Sequence, residues 1–165
     1  MPNWCANTLE ISTIHEETIA EFKEQAGAYG TDLSLQNFLP IPQRLLNTPH
    51  CMPPVDPKER KGLDHVWASN VSEYGSADAY EWKIKRWGTK WDVHAKLVES
   101  RQHYLKYEFD SAWSPPLAWL QHVSVCFADA FFFLSFSAPD MPHPANAVAV
   151  AGVVDVQPIE EILDW

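Results

Sequence analysis

Seven histidines, three cysteines and 22 acidic side chains supply the groups of this chain that could do chemistry, so their spacing comes first. His122 and Cys126 stand four residues apart within a predicted helix, His50 and Cys51 adjoin, and Cys5, His94 and His103 lie elsewhere. A zinc site needs three or four converging ligands. The sequence sets no such group side by side, so no metal or cofactor is expected, and His122 reads as a half-buried helix residue. Glu108 and Asp110 share one face of a predicted strand, a spacing that paired carboxylates use for acid–base work. Exposed strand faces carry acids routinely, and a solvated face is the simpler reading. There is no glycine-rich phosphate loop and no nucleophile elbow. The residue types therefore favour a protein that is not an enzyme.

Tryptophan is the unusual component, with eight in 165 residues. Three segments concentrate it. They are Asn3-Trp4-Cys5-Ala6-Asn7, Trp87-Gly88-Thr89-Lys90-Trp91-Asp92 and Ala112-Trp113-Ser114-Pro115-Pro116. An indole buries a large area but carries an N–H that needs an acceptor, which suits edges and grooves. The middle segment reads as a helix stop, with Gly88 in the left-handed cap conformation and Trp87 and Trp91 bracketing the turn. Thr89 and Asp92 can bond nearby backbone, and Lys90 can lie along an indole or pair with Asp92. In the third segment Ser114 reads as an N-cap and Pro115 as the first helical residue, with Trp113 packing on the first turn as a staple. A Trp-stapled corner accounts for most of these residues. The competing reading is a groove lined by Trp4, Trp87, Trp91 and Trp113, with Asn7, Lys90 and Asp92 beside it, taking a base, a sugar or an aromatic side chain. Trp4 is the one least explained by packing.

Taken in this order, the three segments resemble the uncharacterised phage- and plasmid-encoded proteins that carry a YubB-type ferredoxin-like domain. The resemblance covers roughly residues 1–137. It implies a ferredoxin-like fold, a mobile-element source and a cytosolic setting, and it brings no catalytic residues.

The elements that must position these segments follow from periodicity. Trp4 to Ile11 alternates, with Cys5, Asn7, Leu9 and Ile11 on one face of a strand. Ile19, Phe22, Ala26 and Tyr29 draw a helical stripe, and Thr13 with Glu16 has capping-box spacing. Leu33 to Leu39 reads as a strand closed by Pro40, and residues 47–62 as an irregular insertion. A helix over 77–87 follows, capped by Ser76, with Ala77, Tyr80, Ile84 and Trp87 on its stripe and Glu81–Lys85 as an i,i+4 pair. Trp91 to Leu97 and His103 to Phe109 form an antiparallel hairpin. A helix runs from Ser114 to about Ala128, then a strand over Phe131–Ser137 and a last strand near Ala147–Val156. Residues Ile159–Trp165 read as an acidic tail with a short helical turn. Without the insertion and extra strands the order is β-α-β-β-α-β. The expected architecture is thus one α+β domain over residues 1–165: a ferredoxin-like (split β-α-β) antiparallel sheet with two helices on one face, extra strands, and an irregular or helical insertion at about 40–90.

Net charge is −10, spread as −5 over residues 1–57, +3 over 58–106 and −8 over 107–165. An acidic field repels nucleic-acid phosphates, which makes nucleic acid the less favoured partner despite the basic middle third. An odd cysteine count without a disulfide pattern fits a reducing compartment, and neither a signal peptide nor a membrane span is visible. The expectation is a cytoplasmic, protein-binding accessory protein of a mobile element with a host or element-encoded protein partner. A single-stranded nucleic-acid binder is second. An enzyme working in a Trp-lined groove through Asp92, His94 or Asp110 is third.

Overall fold

The computed structural model describes residues 3–51 and 56–159. The predicted turn in the tail lies past residue 159, outside the described residues.

Six strands form one antiparallel sheet: β1 (Trp4–Ser12), β2 (Lys96–Arg101), β3 (Tyr104–Ala112), β4 (Phe131–Ser137), β5 (Ala145–Val150) and β6 (Val153–Pro158). They lie in the order β2-β3-β1-β4-β5-β6, and every pairing is antiparallel. Helices α1 (Glu16–Ala26), α2 (Gln43–Leu46), α3 (Pro57–Tyr74), α4 (Ala79–Arg86) and α5 (Leu117–Cys126) complete an α+β architecture. No described helix is long and apolar enough to cross a membrane.

Strand alternation decides which sheet face is covered. Leu9 pairs with Tyr107 on one side and Leu134 on the other, and Ile11 pairs with Leu105 and Phe132. All six are buried. Phe22 of α1 reaches that layer, with its ring 6.2 Å from Tyr107 and 5.9 Å from Phe132. It also meets Phe127, just past α5, at 5.2 Å. Trp119, Leu120 and Val123 of α5 are fully buried in the same core. α1 and α5 therefore pack on one face. The opposite face carries Trp4, Ala6, Thr8 and Glu10 of β1 and is not covered by a described helix.

Several predicted elements come out differently, each for a visible reason. Leu33–Leu39 is not a strand. Residues Leu35–Asn37 form a 3-10 turn, because Asp92 captures this backbone: its Oδ1 accepts from Leu35 N–H at 2.7 Å and its Oδ2 from the Ser34 hydroxyl at 2.5 Å. The Asn37 amide meanwhile donates to the carbonyls of Gln25, Ala26 and Gly27 and closes α1. Leu33, Leu35 and Phe38 still enter the core, so the apolar run is satisfied without a ladder. The insertion is more helical than its prolines suggest. Pro57 opens the 18-residue α3, capped by Asp56, as proline at a first helical position allows. Asp78, not Ser76, caps the next helix by accepting from Glu81 N–H. Thr13 accepts from His15 N–H but does not cap α1, and Tyr29 lies past its end, fully exposed. The final strand is a hairpin that turns at Ala151-Gly152, both at positive φ.

Candidate functional site

The Trp87–Asp92 corner divides its residues between inside and outside. Trp87 follows α4, is 1% exposed, donates its indole N–H to the Leu39 carbonyl at 2.9 Å and packs edge-on against Trp82 at 6.0 Å. Its own carbonyl accepts from Trp119 N–H at 3.1 Å. Gly88 then takes φ +85°, and a β-carbon there would lie 3.2–3.3 Å from backbone atoms of Pro115, Leu117 and Ala118. Glycine avoids both the strain of that conformation and the close contact. Thr89 is buried and donates to the Ala112 carbonyl at 3.0 Å.

At Lys90 the chain reaches the outer side. The Lys90 ammonium stands 4.7 Å from the Trp113 ring centre, 5.1 Å from that of Trp91 and 5.7 Å from that of Tyr80. These separations fall within cation–π range. Trp91 leans on Trp4 at 5.7 Å. Trp4, Trp91 and Trp113 are 40–49% exposed. The Trp67 and Trp87 indoles donate to backbone carbonyls, whereas those of Trp4, Trp91 and Trp113 meet no acceptor among the described residues. Two indoles and a phenol thus gather around one lysine at the surface, and the third indole, Trp4, extends the cluster through Trp91.

The backbone beneath this cluster is tightly held. Trp4 pairs with Ala112, and Trp113 N–H donates to the Asn3 carbonyl at 2.8 Å. Trp113 sits at φ +73°, a conformation that costs an ordinary residue about 1–3 kcal/mol and persists only where the surroundings impose it. Ser114 donates to the Gly88 carbonyl at 2.5 Å instead of capping α5, which starts at Leu117 without a side-chain cap. Trp113 is therefore not the helix-start staple expected. Ser111 donates to the Ser114 carbonyl and accepts from the Asn7 amide at 2.9 Å.

Of the seven candidate residues, Trp4, Lys90, Trp91 and Trp113 converge at the surface. The other three support them. Trp87 is core. Asn7 is buried and spends its amide on the Cys5 and Phe109 carbonyls and on Ser111. Asp92 accepts from Ser34, Leu35 N–H and Val93 N–H; it does not pair with Lys90.

Beside Trp4 lies a hollow of about 390 Å³ lined by Trp4, Trp91, Asp92, His94 and Asp110. A second, of about 600 Å³, continues along the open sheet face past Lys96, Glu108, Thr8, Ser135 and Ser137 to Pro144 and Ile159. His94 and Asp110 line both, so the two form one groove. Tyr80, on the far side of Lys90, also touches the His50 ring at 4.6 Å. Sequence spacing missed Tyr80 as a partner of Lys90. Its place on the predicted apolar stripe disguised a residue that stands at the helix surface.

No family model matches this α+β chain, and no curated protein matches it. Among solved structures it is similar to protein api92 from Yersinia pseudotuberculosis, described by the family model DUF1281. That match has a TM-score of 0.56 at 10% identity and covers 97% of this chain and 99% of that one. The likeness is one of fold, across nearly the full length of both chains.

Proposed function

We propose that this chain is a protein-binding module, not an enzyme, that serves as a cytoplasmic accessory protein of a mobile genetic element. Its anchor is the Trp4–Trp91–Trp113 cluster around Lys90. The observation that carries the reading is the exposure of three indoles on backbone fixed from beneath, one of them at positive φ. Exposed, preorganised tryptophans are what protein interfaces use as energetic anchors. Net charge −10 suits a partner with a basic surface. The motif resemblance supports the mobile-element origin. The strand order β2-β3-β1-β4 with α1 and α5 on one face supports a ferredoxin-like split β-α-β core, extended by the β5–β6 hairpin.

The test is affinity capture from bacterial lysate with the wild type and a Trp4→Ala/Trp91→Ala/Trp113→Ala variant, matched for folding by circular dichroism. The expected result is a defined partner held by the wild type and lost with the variant. Identical recovery by both proteins, or no partner at all, overturns the proposal.

A second reading has one specific observation in its favour: His94 and Asp110 line the groove beside Trp4 and Trp91, an arrangement that suits a small molecule held by stacking. It gains ground if fragment soaking places ligands between Trp4 and His94. Nucleic acid is favoured less. Tyr104, on the outer strand face, lies close to the Glu10 carboxylate, and burial together with that carboxylate pushes its pKa up to about 12. An acid at that position repels phosphate.

A further inference from the structure

Asp78 is the only charged residue among the described residues that is buried, at 1% exposure. An isolated carboxylate in such a place is costly unless paired. Part of its role is local. Its Oδ1 accepts from Glu81 N–H at 2.9 Å and caps α4, and its Oδ2 accepts from Cys51 N–H at 2.7 Å. Those bonds explain the helix start and the anchoring of the preceding loop. They do not explain why an imidazole and a thiol converge on the same carboxylate. His50 Nδ1 stands 2.7 Å from Asp78 Oδ2, and the donor atoms of His50, Cys51 and Asp78 all lie within 4.8 Å of one another.

We infer that His50, Cys51 and Asp78 form a binding site for a borderline divalent metal ion of the zinc type, with one nitrogen, one sulfur and one oxygen ligand. Mixed N, S and O donors select such ions over magnesium or calcium, which want oxygen alone. Bond lengths of about 2.0–2.3 Å put ligand atoms on a tetrahedral ion roughly 3.5 Å apart. To reach that spacing the 2.7 Å Nδ1–Oδ2 pair must open and the longer separations, up to 4.8 Å, must close, and the adjustable groups are the partly exposed His50 and Cys51 side chains. Asp78 is already fixed by backbone, and the Tyr80 ring at 4.6 Å limits the imidazole. The loop carrying both flexible ligands is itself tied down: Trp67 donates to the Pro49 carbonyl and Asn70 to the Thr48 hydroxyl.

Charge is consistent with this. Burial raises the Asp78 pKa, but the bonds from Glu81 N–H, Cys51 N–H and His50 outweigh it and hold the carboxyl below its usual range. Burial and the nearby Asp78 and Glu81 charges push the Cys51 thiol up, so without a cation it keeps its proton. Metal binding releases the thiol proton to solvent, and the neutral imidazole ligates through Nδ1 with its one proton on Nε2. Three protein ligands leave a fourth position for water, as in zinc sites that are not purely structural.

The test is titration of the full chain with Co²⁺, followed by thiolate-to-cobalt charge-transfer absorption and competed with Zn²⁺. Saturation at one equivalent with that band is expected. Cys51→Ser should abolish the band, and His50→Ala should weaken binding at least tenfold. Both side chains are partly exposed, so folding should survive, whereas Asp78→Asn also removes a helix cap and is not used. Cys126→Ser is the control, because Cys126 Sγ lies 3.7 Å from His122 Nε2 and is the rival thiol. It should leave the titration unchanged. No saturable band in the wild type, a band that survives Cys51→Ser, or a band lost in Cys126→Ser each overturns the site.

Discussion

Trp87 and Trp91 stand four residues apart at one corner and end on opposite sides of it. On the inner side Trp87 is enclosed, its N–H satisfied by Leu39 and its ring set against Trp82. On the outer side Trp91 shares a surface cluster with Trp4, Trp113 and Lys90. The same residue type thus does two jobs, and the turn between them separates the jobs. Gly88 and the buried Thr89 lock that turn to the start of α5 and the end of β3. The outer indoles gain their fixed placement from the inner packing and contribute little to it. Stability should therefore concentrate on one side of the corner and recognition on the other.

The largest effect should come from removing the inner indole. Trp87→Ala is expected to cost about 3–5 kcal/mol, the range for deleting a large aromatic from a packed core. It also leaves the Leu39 carbonyl without its donor. Urea denaturation followed by circular dichroism measures this. A loss below about 1 kcal/mol would mean that the corner does not depend on Trp87. Next is Gly88→Ala, expected to cost about 2 kcal/mol, since a left-handed conformation alone penalises an L-residue by about 1–2 kcal/mol and the new β-carbon meets backbone at 3.2 Å, which cannot swing aside.

The outer residues should behave oppositely. Trp4→Ala and Trp91→Ala are each expected to change stability by less than about 1 kcal/mol, as for surface positions, while abolishing partner capture. Trp113 offers a sharper version. Its φ of +73° suits glycine better than any other residue. Trp113→Gly should be at least as stable as Trp113→Ala, by about 1 kcal/mol, and equally defective in binding. If Trp113→Gly proves the less stable of the two, the positive φ is not a source of strain, and the case for a backbone held for function weakens.

What the sequence disclosed depended on how local the cause was. The alternation in β1 placed Cys5, Asn7, Leu9 and Ile11 on the buried face, and all four are there. Phe131–Ser137 begins and ends where its apolar run does, and the α+β class followed from the order of periods. Elements set by distant partners were not legible. The 3-10 turn at Leu35–Asn37 exists because Asp92 reaches it from 57 residues away, while the local pattern reads as a strand. Helix α4 buries Trp82, which was not on its expected stripe, and leaves Ile84 exposed, because it packs between α2 and α5. At the site, residue type pointed correctly to Trp4 as unexplained by packing, and Lys90 beside an indole was an anticipated contact. The division of the four tryptophans into one core residue and three surface ones was not, because it rests on which side of a turn each indole leaves the backbone. His50, Cys51 and Asp78 were invisible as a group for a similar reason: 28 residues and a helix separate His50 from Asp78.

The smallest expected effect lies deepest on the covered side and tests whether its packing or its polar groups hold the corner's foundation. Tyr107 is fully buried beneath Phe22, yet its hydroxyl finds no hydrogen-bond partner among the described residues. Burial, aided by the Asp32 charge, pushes its pKa far above the usual tyrosine value. A raised folded-state pKa means that the fold favours the neutral phenol. That contribution is complete below about pH 10, the unfolded value, and is lost as pH rises from there toward the folded one. Tyr107→Phe removes the hydroxyl and keeps the ring. At neutral pH it should be neutral or stabilising by up to about 1 kcal/mol, since an unpaired buried polar atom is exchanged for none. Above pH 10 it should also flatten the decline of stability relative to wild type, which parallel urea titrations at pH 7 and pH 10.5 resolve. A loss at pH 7 would show that the hydroxyl has a bonding role, and the covered side would then hold the corner by polar contacts as well as by packing.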